Sequence, residues 1–193
     1  MATALVAAVV TAGCASGDGQ DPVTTTSTPV AEAAGNPWDL PLEERPPLFD
    51  PCAEIPIEAV SKGAGKPVEH VEKLTQRKPG ELDTCGWKND EISVSALATW
   101  KSHEQYEADP ESILHPQPVR VGGREAIQMT ERADRSENGC HHVFFTEVGT
   151  VILSVDLIHG LNQFRGESFA KSCEVLGVIS DALVGFVPEG DFR

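Results

Sequence analysis

The sequence predicts a single α+β domain, an antiparallel sheet with a C-terminal helix packed on one face and two disulfides. Three observations carry that expectation. Apolar residues alternate through strand-length runs such as Ile92-Ser93-Val94-Ser95-Ala96-Leu97-Ala98. The last apolar stretch changes period, with Phe169, Cys173, Leu176, Ile179 or Ser180, Leu183 and Phe186 at steps of three and four. The five cysteines divide into Cys14 near the start and an even set, Cys52, Cys85, Cys140 and Cys173.

In chain order, Pro56 at a helix start and Gly63 behind Val60 mark a short helix. Residues 81–88 read as a strand holding Cys85 and Trp87 on one face, because successive side chains alternate. In the strand from Ile92 to Ala98, Ile92, Val94, Ala96 and Ala98 share a face. Ser102-His103-Glu104-Gln105 is a capping box opening a helix through Tyr106 to Ala108, stopped by Pro110. Val119–Val121, Gly122-Gly123 and Arg124–Met129 form a hairpin with a two-residue turn. A second hairpin has arms 140–145 and 151–157 and reverses at Gly149. The closing helix is expected from about Glu167 to Val187, with Ser168 at its cap and Pro188 beyond its end.

Residues 1–13 have the length of a signal-peptide core, well short of the roughly 20 apolar residues that span a bilayer. Val10-Thr11-Ala12-Gly13-Cys14 then reads as a lipobox, making Cys14 the acylated first residue of the mature protein. Thr11 stands where Leu is usual, and residues 1–13 hold no Lys or Arg, so a basic leader region is expected upstream of Met1. Residues 14–47 are rich in Gly, Ser, Thr and Pro and read as a disordered tether reaching roughly 30 Å, with Trp38 and Leu40 docking on the domain. The domain itself is expected over 48–193. Such an anchored chain sits on the outer face of the cell membrane, where disulfides persist.

The net charge of −15, from 30 acidic and 15 basic residues, excludes nucleic acid as a partner, since phosphate binding needs clustered Lys and Arg. It equally disfavours an electrostatic membrane contact. Contact with the bilayer is therefore expected through acyl chains, each buried methylene contributing about 0.8 kcal/mol.

The pattern of lipobox, Thr/Pro-rich tether, Phe49-Asp50-Pro51-Cys52, Cys85-Gly86-Trp87, Val121-Gly122-Gly123-Arg124-Glu125-Ala126, Gly139-Cys140 and a cysteine in a closing helix before Pro188 resembles actinobacterial envelope lipoproteins of domain-of-unknown-function family 3558. Glu125 departs from the proline expected after Gly-Arg, which leaves the turn geometry open. The resemblance implies an actinobacterial envelope lipoprotein and carries over no catalytic residue.

Four domain cysteines allow three pairings. Cys85 and Cys140 both open predicted strands, Cys52 precedes the first helix and Cys173 faces the core from the last, so the expectation is Cys85 with Cys140 and Cys52 with Cys173. Chain entropy makes these bridges worth roughly 4 and 5 kcal/mol.

The chemistry-bearing motifs are weak. Ser168-Phe169-Ala170-Lys171 matches Ser-x-x-Lys without its companion elements, and Gly166-Glu167-Ser168-Phe169-Ala170 lacks the closing glycine of a nucleophile elbow. Cys140-His141-His142 invites a metal, with His70, His103, His115 and His159 as further donors, but adjacent strand residues point to opposite faces. Gly63-Ala64-Gly65-Lys66-Pro67 lacks the Ser or Thr of a phosphate loop, and the acidic residues are spread without a calcium-loop pattern. No cofactor and no metal site is expected. The expected function is a non-catalytic binding or accessory module engaging an apolar ligand or an envelope protein. The alternative is a small hydrolase with a site assembled from distant residues, for example Asp156 or His142 near Ser154.

Overall fold

The computed structural model describes residues 36–134, 138–168 and 170–190. The lipobox, Cys14 and the tether up to residue 35 lie outside the described residues, as does Phe169. Helices α1 (Pro51–Glu54) and α2 (Ile57–Ala64) precede strands β1 (Glu69–His70), β2 (Gln76–Lys78), β3 (Leu82–Lys88) and β4 (Ile92–Thr99). Helix α3 (His103–Glu107) is followed by β5 (Ser112–Leu114), β6 (Val119–Val121), β7 (Arg124–Glu131), β8 (Gly139–Thr146) and β9 (Gly149–Leu157). A small hairpin, β10 (Gln163–Phe164) and β11 (Glu167–Ser168), leads into helix α4 (Ser172–Leu183). No helix among the described residues is long and apolar enough to cross a membrane.

The main sheet is antiparallel, in the order β1-β3-β4-β9-β8-β7-β5, with β2 paired to β3 and β6 to β7. Strand alternation produces its two faces. On one face Cys85, Trp87, Ile92, Val94, Ala96, Val151, Leu153 and Val155 join Val175, Leu176, Ile179 and Leu183 of α4 in the main core. On the other face lies a smaller cluster of Tyr106, Ile127, Met129, Val143, Phe145 and Ile152. The expected α+β architecture, with the closing helix on one face, is therefore the observed one.

Both hairpins reverse where expected. Gly122 and Gly123 occupy positive φ (54° and 86°), the backbone that a two-residue turn demands between β6 and β7. Gly122 is doubly constrained, because a Cβ there would lie 2.4 Å from Val184 Cγ1, and its amide donates to Asp181 Oδ1 at 2.9 Å. Arg124 then clamps the end of the closing helix, donating to the carbonyls of Val187 and Pro188 at 2.7 Å each. The capping box also forms: Gln105 N donates to Ser102 Oγ and Ser102 N to Gln105 Oε1.

The cysteine pairing differs from expectation. The bridges are Cys52–Cys85 and Cys140–Cys173, each joining residues 33 apart in sequence. Cys85 cannot meet Cys140, because β4 and β9 stand between β3 and β8. Three strand spacings come to about 14 Å, twice the Cα separation a disulfide tolerates. Each bridge instead ties a helix to the strand beneath it, α1 to β3 and α4 to β8. Loops of this length correspond to about 3 to 4 kcal/mol each.

Two helix boundaries also move. Helix α2 runs through Gly63 and ends on Gly65, which takes the left-handed conformation at φ 74°. Gly63 is a packing residue: a Cβ there would sit 3.2 Å from Ala182 Cβ on α4. The closing helix starts at Ser172 with Lys171 at its cap, because Arg165 and Gly166, at φ 54° and 82°, turn the preceding chain into the β10–β11 hairpin. Ser168 is thus in a strand and caps nothing.

The stretch 36–47, assigned to the tether, includes docked residues, and packing begins ahead of Leu48. Trp38 donates its indole N–H to the Thr146 carbonyl at 2.9 Å and meets Trp100 edge-on at 4.9 Å. Arg45 lies over the Trp100 ring at 5.0 Å and binds the Leu40 and Trp38 carbonyls. Trp38 docks as expected, offsetting the entropy that leaves a Gly/Ser/Thr/Pro segment loose.

Peptide mapping without reduction is expected to recover Cys52 linked to Cys85 and Cys140 linked to Cys173; a Cys85–Cys140 peptide would contradict this fold. Gly122→Ala is expected to lower unfolding free energy by about 2 kcal/mol or more, through strain at positive φ and collision with Val184. Urea denaturation measures it.

Candidate functional site

The face of the sheet away from α4 is only half covered. Tyr106 of α3, Leu114 of β5 and Trp38 close over its apolar cluster. Beyond them a hollow of about 600 Å³ remains, floored by β3, β4, β9, β8 and β7 and walled by Leu74 and the stretch from Tyr106 to Ser112. The floor is low because small side chains line it: Thr84, Ser95 and Ser154 share it with Leu97, Met129 and Ile152. Leu74 hangs over Gly86, where a Cβ would lie 2.2 Å from Leu74 Cβ, and remains 40 % exposed. A concave floor that mixes apolar side chains with polar and charged groups can receive a small molecule with both characters.

At one end His141 Nδ1 lies 2.7 Å from Ser154 Oγ, and His141 Nε2 lies 3.9 Å from Glu131 Oε1. Burial lowers the His141 pKa against the opposing pull of Asp156, Glu131 and Asp134, which favours the neutral ring. Asp156 shifts the other way. Withdrawal from water, then the carboxylates of Glu131 and Asp134, raise its pKa against the attraction of His141. Gly139 makes this crowding possible: its amide donates to Asp134 Oδ2 at 2.7 Å, and a Cβ would come within 3.0 Å of Asp156 Oδ1.

Of the hydrolase residues suggested from sequence, Asp156 shares the face and the hollow with Ser154, whereas His142 does not. His142 points to the opposite face from Ser154, and the histidine that meets Ser154 is His141. Ser154 lies in the middle of β9, paired on both sides by β4 and β8. Its own backbone amide belongs to the ladder and is therefore not available to an oxyanion at Ser154.

The remaining sequence candidates take structural positions. His142 is buried and its Nδ1 lies 2.9 Å from Ser180 Oγ on α4. Burial moves its pKa down to about 4, with Asp181 opposing and His141 adding to the shift. Cys140 is oxidised, and His141 and His142 diverge, so this triplet does not chelate. Cys52, His70 and Cys85 bring three potential donor atoms within 4.8 Å of one another, but the Cys52–Cys85 bond occupies both sulfurs. Lys66 pairs with buried Glu91 at 2.6 Å, and Glu91 also accepts from the amides of Arg165 and Gly166. These hydrogen bonds outweigh burial and hold the Glu91 pKa below the usual carboxylate value, fixing Lys66 as a structural partner. Lys171 and Ser168 are both exposed and both precede the helix, Ser168 in β11 and Lys171 at the cap, so the two do not share a helical turn.

The family model described as Protein of unknown function (DUF3558) matches residues 9–185. The chain belongs to this family. No curated protein and no solved structure matches it. The motifs that carry the DUF3558 likeness build the scaffold. Phe49 is core, Asp50 caps α1 through the amides of Cys52 and Ala53, Gly86 seats Leu74, and the Gly122-Gly123-Arg124 turn clamps α4. The hollow is built from other residues. From the sequence Glu131 counts only among the spread acids and Asp156 is a candidate only beside Ser154; the pairing of β7, β8 and β9 brings the two carboxylates to one end. Strand alternation was the available signal, since it places Asp156, Ser154 and Ile152 on one face.

In the unfolded chain His142 takes a proton near pH 6.5, whereas in the folded domain it does so only near pH 4. Its contribution to stability is therefore level above about pH 6.5, declines as pH falls toward about 4, and totals about 3 kcal/mol. His142→Asn, which keeps a partner for Ser180, is expected to flatten this part of the curve. Denaturation of both proteins between pH 4 and 7 checks it.

Proposed function

We propose that the chain is a membrane-anchored extracytoplasmic lipoprotein, a non-catalytic binding module of the cell envelope that holds its ligand in the hollow on the open sheet face. The observation that carries this reading is the hollow itself: a concavity of about 600 Å³ lined by both apolar and polar side chains, on the face the α4 scaffold leaves free. The anchor rests on the lipobox ending at Cys14 and the Gly/Ser/Thr/Pro-rich stretch that separates it from Trp38. Two disulfides fit an oxidising compartment. An acidic chain lacking clustered basic residues fits a protein or small-molecule ligand better than nucleic acid.

Two measurements test the reading. Protein extracted from membranes is expected to carry an acyl mass on Cys14, and Cys14→Ala to move from the detergent phase to the aqueous phase. Native mass spectrometry is expected to show a retained small-molecule mass that Leu97→Trp, which fills the hollow, removes. Unchanged partitioning would sink the anchor, and a retained mass indifferent to Leu97→Trp would sink the site.

A further inference from the structure

The hollow has a charge as well as a shape. Among the described residues four carboxylates line it, from Asp109, Glu111, Glu131 and Asp156, and no described lysine or arginine does. Lys101 neutralises Asp109 from outside. Among the described residues no lysine or arginine pairs with Glu111, Glu131 or Asp156. His141 Nε2 lies 3.9 Å from Glu131 Oε1. Its ring is held toward the neutral form by burial, so it does not cancel the acids at neutral pH.

Charge and apolar surface are segregated. Glu131 and Asp156 stand together at the end marked by His141 and Gly139. Leu74 and Leu97 present apolar surface above Met129 and Ile152. A ligand fitting both parts has a positive head and an apolar body, and an anionic amphiphile of equal length would set like charges together.

We propose that the hollow binds a small amphipathic cation, its ammonium or guanidinium group seated between Glu131 and Asp156 and an apolar body of about eight carbons lying against Leu74 and Leu97. This inference rests on the reading of the open face as a binding site. A bound cation also relieves the crowding of acids at Asp156.

The test is calorimetric titration of the full-length chain carrying Cys14→Ser, with octylammonium, octanol and octanoate below their micellar concentrations. Octylammonium is expected to bind one to one, at least tenfold more tightly than octanol, with octanoate weakest. The double substitution Glu131→Gln with Asp156→Asn is expected to bring octylammonium to the affinity of octanol while octanol binding persists, which also shows that the variant is folded. Octanol or octanoate binding as tightly as octylammonium would overturn the cation preference and leave the binding-module reading standing. Octylammonium binding undiminished by the double substitution would overturn the assigned seat. Absence of binding by all three would overturn the proposal, while the retained-mass experiment judges the broader reading independently.

Discussion

Everything in this domain depends on α4 lying across one face of the sheet. Val175, Leu176, Ile179 and Leu183 are buried there, each side chain worth roughly 1.5 to 3 kcal/mol on removal from water. Separate devices hold the helix in that position: the Cys140–Cys173 bridge at its start, the Arg124 clamp at its end, and His142 against Ser180 between them. Helix α2 reinforces the layer, and Gly63 permits its close approach to Ala182. Because this layer occupies one face, the domain can present a broad concave surface only on the other.

That division of labour explains why family membership and ligand chemistry separate. The motifs on which the resemblance was drawn from sequence serve helix caps, turns, bridges and close contacts, with Gly122 and Arg124 as the clearest cases. Such positions tolerate little change because backbone geometry and packing constrain them. Residues lining the hollow are ordinary strand residues facing outward, where a serine, a leucine or a glutamate is equally compatible with the ladder. Motifs of this kind therefore speak to fold and not to the hollow.

Much of the architecture was readable from local signals. Alternation located β3, β4, β8 and β9, the Gly-Gly pair located the β6–β7 turn, and the Ser102–Gln105 box located α3. The errors share a cause. Gly63 carries the usual stop signal, yet its contact with Ala182 outweighs propensity, and α2 continues to Gly65. Ser168 looks like a cap, yet Arg165 and Gly166 make a tight hairpin that claims it for β11. The short strands β1, β2 and β5 carry too few residues for a period to show.

Patterning along the chain was enough to establish an α+β domain with an antiparallel sheet, a closing helix and an even set of domain cysteines, because those properties arise from side-chain period and turn chemistry within a few residues. It also placed His141 and His142 on opposite faces, since strand neighbours must diverge. Strand order is a different kind of information. It puts β4 and β9 between Cys85 and Cys140, ruling out that bridge, and it draws Glu131, His141, Ser154 and Asp156 from three strands into one end of one hollow. Contacts between residues far apart in sequence follow from which strands pair, and no local period encodes that choice.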